Sequence, residues 1–195
     1  FCLIPVFIGF ILPIIELINW TINYKLDFFN RDFLKSAFNS LLLALIAAFL
    51  CTMIAFLINF TTRYQGNKLL SFLSSTLMLG YAVPGLILAI GITQLLTIID
   101  NSFNLFRIDI ILTGSLIGLI IAYIIKSYAL SNSTIESGFQ RISNSFDDVS
   151  KTLNISGIKL MYKIYFPLLR TGLLTSILLV GSEVIKELPA TLILR

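Results

Sequence analysis

The sequence has no histidine, only two cysteines, and charged side chains at just 12% of its positions. Without imidazole there is no His-based metal site, no Ser-His-Asp triad and no ordinary proton shuttle near neutral pH, which argues against an intramembrane metalloprotease or a haem protein. Cys2 and Cys51 lie far apart in apolar runs with no CxxC spacing, so neither a disulfide framework nor a zinc site is indicated, and both read as small buried hydrophobes. No G-x-x-x-x-G-K-[ST] occurs, so the chain carries no phosphate loop of that type. A dense basic patch is also missing. The formal net charge of +4 comes from residues scattered between apolar runs, and nucleic acid is not an expected partner. No cofactor and no bound metal are expected.

What the chain has in quantity is apolar surface. Hydrophobic residues make up 57% and the mean hydropathy is +0.94, whereas soluble domains carry roughly 25% charged residues. Lipid is the solvent this composition suits, and the fold expected is an all-α, polytopic transmembrane bundle of about five spans in the cell membrane, with no soluble appendage. Residues 1–20 carry one charge, Glu16, and form the first expected span. Residues 21–37 mix Lys25, Asp27, Arg31, Asp32 and Lys35 with Phe28, Phe29 and Phe33, as an interfacial segment does.

The second span is expected over 38–60 and is followed by a short basic turn with Arg63 and Lys68. Residues 69–99 are uncharged but interrupted by Gly80, Pro84, Gly85 and Gly91, which predicts a tilted or broken helix. A polar loop at 101–109 leads to a fourth span over 110–130, with Lys126 near its end, and the fifth span is expected over 168–188. The loops holding Arg63 and Lys68, and Arg141, Lys151, Lys159, Lys163 and Arg170, have the strongest basic bias. They are therefore expected in the cytoplasm, with Asn104 outside.

The connection between the fourth and fifth spans has helix signals of its own. Ser145 to Asp148 has the S-x-x-D form of a capping box, and Phe146, Val149 and Leu153 follow at helical spacing. Asn154 suits a left-handed cap, with Gly157 after it. A second amphipathic segment, 158–166, carries Lys159 and Lys163, and Pro167 is expected to mark its junction with the fifth span. This pattern fits both an elbow of two helices and a segment lying along the lipid interface.

Inside the membrane, Pro84 and Gly85 should break the third span near its centre, where non-helical backbone must face protein or a water-lined cavity. Tyr81 could offer a hydroxyl there, or the break could be a packing kink alone. Glu183, Lys186 and Glu187 fall in the outer half of the fifth span. Ionisable residues at such depth mark pathways, although Glu183 and Lys186 at i, i+3 could instead neutralise each other.

Asp148-Val-Ser-Lys-Thr-Leu-Asn154, followed by Ile164-Tyr-Phe-Pro167, resembles the EAA loop of ABC importer permeases. Asp148 stands for the Glu of that loop, Val149 and Ser150 for its two alanines, and Asn154 for its Gly, a substitution that tolerates positive φ. The resemblance implies that Asp148, Val149, Ser150, Leu153, Asn154 and Gly157 belong to a coupling helix that docks into a separate ATPase subunit. Gly80-Tyr-Ala-Val-Pro-Gly85 with Leu88-Ala-Ile-Gly91, and Lys186-Glu-Leu-Pro-Ala-Thr191 with Leu194-Arg195, resemble the ferric-iron branch of these permeases. This implies an external substrate-binding protein as partner and a path for iron lined by Tyr81, Pro84, Gly85, Glu183, Lys186 and Glu187.

The chain opens on Phe1 without a Met. The match is to the C-terminal half of a two-half permease, so 1–195 is expected to be one permease domain incomplete at both ends. Thiamine, sulfate and polyamine permeases share the EAA-type loop and remain alternatives for the cargo. A secondary ion-coupled carrier is an alternative for the mechanism, because Glu16, Glu183 and Glu187 lie in apolar segments. An enzyme is not expected.

Overall fold

A computed structural model describes residues 3–23, 31–105, 112–143, 145–152 and 155–194. Leu153 and Asn154, and the side chains of Asn104, Asp147, Asp148 and Lys151, lie outside the described residues. The chain divides into two compact units, Phe1–Asn39 and Ser40–Arg195. Every regular element among the described residues is helical, and five helices are long and apolar enough to cross a membrane: Ile4–Asn23, Arg31–Gln65, Gly85–Phe103, Leu116–Gln140 and Gly157–Lys186.

In the first unit, α1 covers 3–23 and widens into a π-helical stretch at Phe7–Ile11, where the Leu12 N–H reaches back to the Phe7 carbonyl. The stretch lies just before Pro13, whose missing N–H and bulky ring disfavour a regular turn at that point. The second unit is built mostly from α2 (Arg31–Gln65), α3 (Lys68–Met78), α4 (Gly85–Leu105), α5 (Leu116–Gln140), α6 (Ser145–Thr152), α7 (Gly157–Lys186) and α8 (Leu188–Leu194).

Helix α2 has 35 residues, about 50 Å at 1.5 Å each and longer than a hydrocarbon core of about 30 Å. Residues 31–37, expected as an interfacial connection, are its first turns. Gly66, at φ 62, ends it, and Asn67 starts α3 by accepting from the N–H groups of Leu69 (3.0 Å) and Leu70 (3.4 Å).

Several span boundaries differ from expectation. The third candidate span is Gly85–Phe103, not 69–99, and residues 101–105, expected as the start of a polar loop, are the last turns of α4. The fourth span begins at Leu116 and continues to Gln140, not over 110–130. Gly114 at φ 74 turns the chain and the Ser115 hydroxyl caps Gly118 N–H at 3.3 Å. The polar run Ser131–Thr134 does not end the helix, because Thr134 bonds back to Leu130 O and Ser131 bonds into the interior. Lys126 therefore sits near the middle of α5. In the fifth span, Pro167 is no junction, since α7 runs through it. A π stretch at Met161–Tyr165 lets Phe166 N–H bond to Met161 O, which absorbs the missing donor and the ring clash in the way seen before Pro13.

The core of the second unit is made by small side chains and hydroxyls. Ala44, Ala47, Ala48, Cys51, Thr52 and Ala55 form a buried face of α2. Thr52 and Ser131 both bond the Ser176 hydroxyl, at 2.9 and 2.8 Å, tying α2, α5 and α7 together. In lipid, where no hydrophobic force drives helices together, close approach of small residues and interhelical hydrogen bonds supply the cohesion. The many exposed Leu, Ile and Phe side chains, such as Leu178, Ile98 and Phe72, suit a hydrocarbon surround.

Candidate functional site

The expected break in the third span is present. Helix α3 ends at Met78, a 3-10 turn covers Leu79–Ala82, and α4 begins at Gly85. Val83 is extended (φ -76, ψ 129), as the residue before a proline prefers to be. Breaking a helix at membrane depth leaves carbonyls without partners, and each must be satisfied inside the protein. Lys126 of α5 does this. Its Nζ donates to Val83 O at 2.6 Å and Tyr81 O at 3.3 Å, and it lies 5.8 Å from the centre of the Tyr81 ring. One residue earlier on α5, Ile125 receives the buried Gly80 so closely that a Cβ there would stand 2.5 Å from the Ile125 carbonyl oxygen.

The start of α4 meets the other discontinuity of the bundle. Helix α7 ends at Lys186, Glu187 departs from helical geometry (φ -79, ψ 81), and α8 follows. A Cβ on Gly85 would lie 1.8 Å from Glu187 Oε1, so the carboxyl group can occupy this position only beside a glycine. That oxygen is buried and has no hydrogen-bond partner among the described residues. The junction is held from α5 as well: Tyr123 OH and Thr191 Oγ1 are 2.6 Å apart, and Thr191 donates to Glu187 O.

Of the residues the sequence marked for a path, the structure thus gathers Tyr81, Pro84, Gly85 and Glu187 around two facing helix breaks. Glu183, one turn earlier on α7, is half-buried and Lys186 is exposed. No ion pair joins those two among the described residues. Lys126, Tyr123 and Thr191 were not singled out beforehand for this role.

A polar column continues along α5 from this region. Asn132 accepts from Asn59 of α2 (2.8 Å), from Tyr128 (3.2 Å) and from Ser74 of α3 (3.4 Å), and donates to Glu136 (3.3 Å). The Tyr128 and Ser74 hydroxyls are 2.9 Å apart.

The elbow between α5 and α7 hangs from the last turn of α2. Arg63 donates to the carbonyls of Phe139 (2.6 Å), Ile142 (2.9 Å) and Ser143 (3.3 Å), in and just after the last turn of α5. Its guanidinium lies 5.5 Å from the Tyr165 ring, which stacks on Phe139 at 5.2 Å. The neighbouring Tyr64 hydroxyl accepts from Gly157 N–H at 3.3 Å. Both flanks of α6 are therefore anchored to one turn of one helix.

On α6 itself, Phe146 and Val149 are exposed, at 46% and 55%, whereas Ser150 is buried at 2%. Ser150, which the resemblance places on the coupling helix, turns inward, and its carbonyl accepts from Ile155 N–H at 2.9 Å. Ser143 supports the helix start through its hydroxyl, 3.3 Å from Ser145 N. The left-handed residue described in the turn is Gly157, at φ 57. Leu153 and Asn154, expected as stripe and cap, lie outside the described residues.

Comparison with known proteins places these features in a group. The family model described as "Binding-protein-dependent transport system inner membrane component" matches residues 52–194. The chain is 28% identical over 173 residues to the ferric transport system permease protein of Actinobacillus pleuropneumoniae, covering 82% of this chain and 23% of that protein. It is 30% identical over 173 residues to a putative ferric transport system permease protein of Haemophilus influenzae, covering 82% of this chain and 26% of that protein. The molybdate/tungstate transport system permease protein of Methanocaldococcus jannaschii is 26% identical over 198 residues, covering 98% of this chain and 76% of that protein. The chain spans about a quarter of the length of the two ferric relatives.

Proposed function

The chain belongs to the family of binding-protein-dependent transport system inner membrane components, and from that premise we propose that it forms part of the membrane-spanning permease of an ATP-driven importer for ferric iron. An external binding protein delivers the cargo and a separate ATPase supplies the energy. The observation that carries the import mechanism is the elbow. A short helix with Phe146 and Val149 exposed is held at both flanks by Arg63 and Tyr64, so a push on α6 reaches α2 and α5 directly. This is the cytoplasmic surface proposed for the ATPase, with Asp148, Val149, Leu153 and Asn154 at or beside the contact.

The proposed path runs past the two facing breaks. Glu187 Oε1, buried without a partner beside Gly85, offers an acceptor that suits a cationic or iron-containing cargo, with Glu183 one turn away. Similarity to the molybdate/tungstate permease favours a tetrahedral oxyanion as a second reading, but a carboxylate facing the path repels an anion.

Uptake by the complete transporter, reconstituted with its ATPase and binding protein, separates the two. Radiolabelled ferric iron is expected to enter in a saturable way while molybdate at the same concentration does not compete. Entry of molybdate without entry of iron would reverse the assignment of cargo.

A further inference from the structure

We propose that Lys126 is a positioning residue for transport: it holds the broken backbone at 81–83 in place and thereby fixes where Gly85 meets Glu187. This rests on the path proposed above, and nothing in the family match assigns a role to this lysine. Helix α5 grips the break at two successive residues. Gly80 is seated on the Ile125 carbonyl, with space for no larger residue, and the ammonium of Lys126 binds Val83 O and Tyr81 O while lying under the Tyr81 ring.

The chemistry explains why a lysine is kept at this depth. The carbonyls of a terminated helix carry partial negative charge, and in a low-dielectric surround leaving them unpaired is expensive. One cation meets two of them, and in return the carbonyls and the ring face solvate a charge that would otherwise be costly within a span. Val83 O is two residues from Gly85, so loss of this grip frees the segment that leaves room for Glu187. Glu187 Oε1 makes no hydrogen bond to the break, having no such partner among the described residues. The hydrogen bonds that hold the break come from α5.

The test uses the complete transporter with Cys2→Ser and Cys51→Ala, a single reporter Val83→Cys, and either Lys126→Met or Lys126→Arg. Lys126→Met has nearly the same length without the charge. It is expected to change the rate of thiol labelling at position 83 by about tenfold or more, the scale of losing charge-assisted hydrogen bonds to Val83 O and Tyr81 O, and to reduce uptake to a similar extent. Lys126→Arg should restore both, because guanidinium can donate to the same carbonyls.

Labelling needs neither ATP nor cargo, so it reports on the grip even if the importer assignment fails. Parental labelling in Lys126→Met overturns the proposal. So does lost uptake with unchanged labelling, which would make Lys126 a cargo contact, and so does altered labelling with parental uptake, which would make the grip irrelevant to transport.

Discussion

Val149→Asp is expected to release the ATPase subunit from the permease and to abolish ATP-dependent uptake while the bundle still inserts. Val149 is 55% exposed on α6, beside Phe146 at 46%, and neither has a role in the core of this chain. Burying a valine against a partner contributes roughly 1.5 to 3 kcal/mol, and an aspartate in its place must be desolvated without a counter-charge, which costs several kcal/mol more. A loss of about 4 kcal/mol is a factor of about a thousand in affinity, enough to separate the subunits on purification. Copurification of the ATPase and initial uptake rate are the measurements. A Val149→Asp transporter that keeps its ATPase and transports at the parental rate would remove α6 as the coupling helix.

The second large effect is expected from Gly85→Ala. The atom that a Cβ would meet is the tip of a flexible side chain, Glu187 Oε1 at 1.8 Å. The fold therefore survives and the carboxyl group moves. Alanine has the higher helix propensity, by about 1 kcal/mol in a helix interior and less at a first position such as this, so instability of α4 is no explanation for lost function. Uptake should fall by about tenfold or more, as it should for Glu187→Gln, and the double mutant should be no worse than either, because both act on one group. Gly80→Ala differs in kind. There the clash is with the Ile125 backbone oxygen at 2.5 Å, which cannot swing aside, and a fall in thermal stability is expected. Full uptake in Gly85→Ala alongside impaired Glu187→Gln would show that the placement of the carboxyl group is unimportant.

Much of this architecture was legible in the sequence because the signals were local. Pro84 and Gly85 announced the break in the third span, and the Ser145 to Asp148 pattern with Phe146 and Val149 announced a short helix whose apolar side chains are exposed. Misreadings arose where local signals were overruled by long-range contacts or by backbone adjustment. Ser131, Asn132 and Thr134 look like the end of a span, yet Ser131 bonds Ser176, Asn132 bonds Asn59, and Thr134 returns its hydroxyl to Leu130, so α5 continues to Gln140. That shift of boundary moved Lys126 from a helix end to the middle of a span, where its role became visible.

Pro167 reads as a helix boundary unless the π stretch at Met161–Tyr165 is known. Arg63 was legible only as a positive charge marking topology. Its three carbonyl partners are far along the chain, as Glu187 is from Gly85, and spacing alone could not bring either pair together.

The importer mechanism itself is tested most directly by the energy source of uptake. Proteoliposomes holding the complete transporter, with its binding protein outside, should accumulate ferric iron only when hydrolysable ATP is supplied on the side where α6 emerges. Collapsing proton and sodium gradients should leave that uptake unchanged. Accumulation driven by an ion gradient in the absence of ATP would instead make Glu16, Glu183 and Glu187 candidates for ion coupling in a secondary carrier, and would contradict the assignment of this chain to an ATP-driven importer.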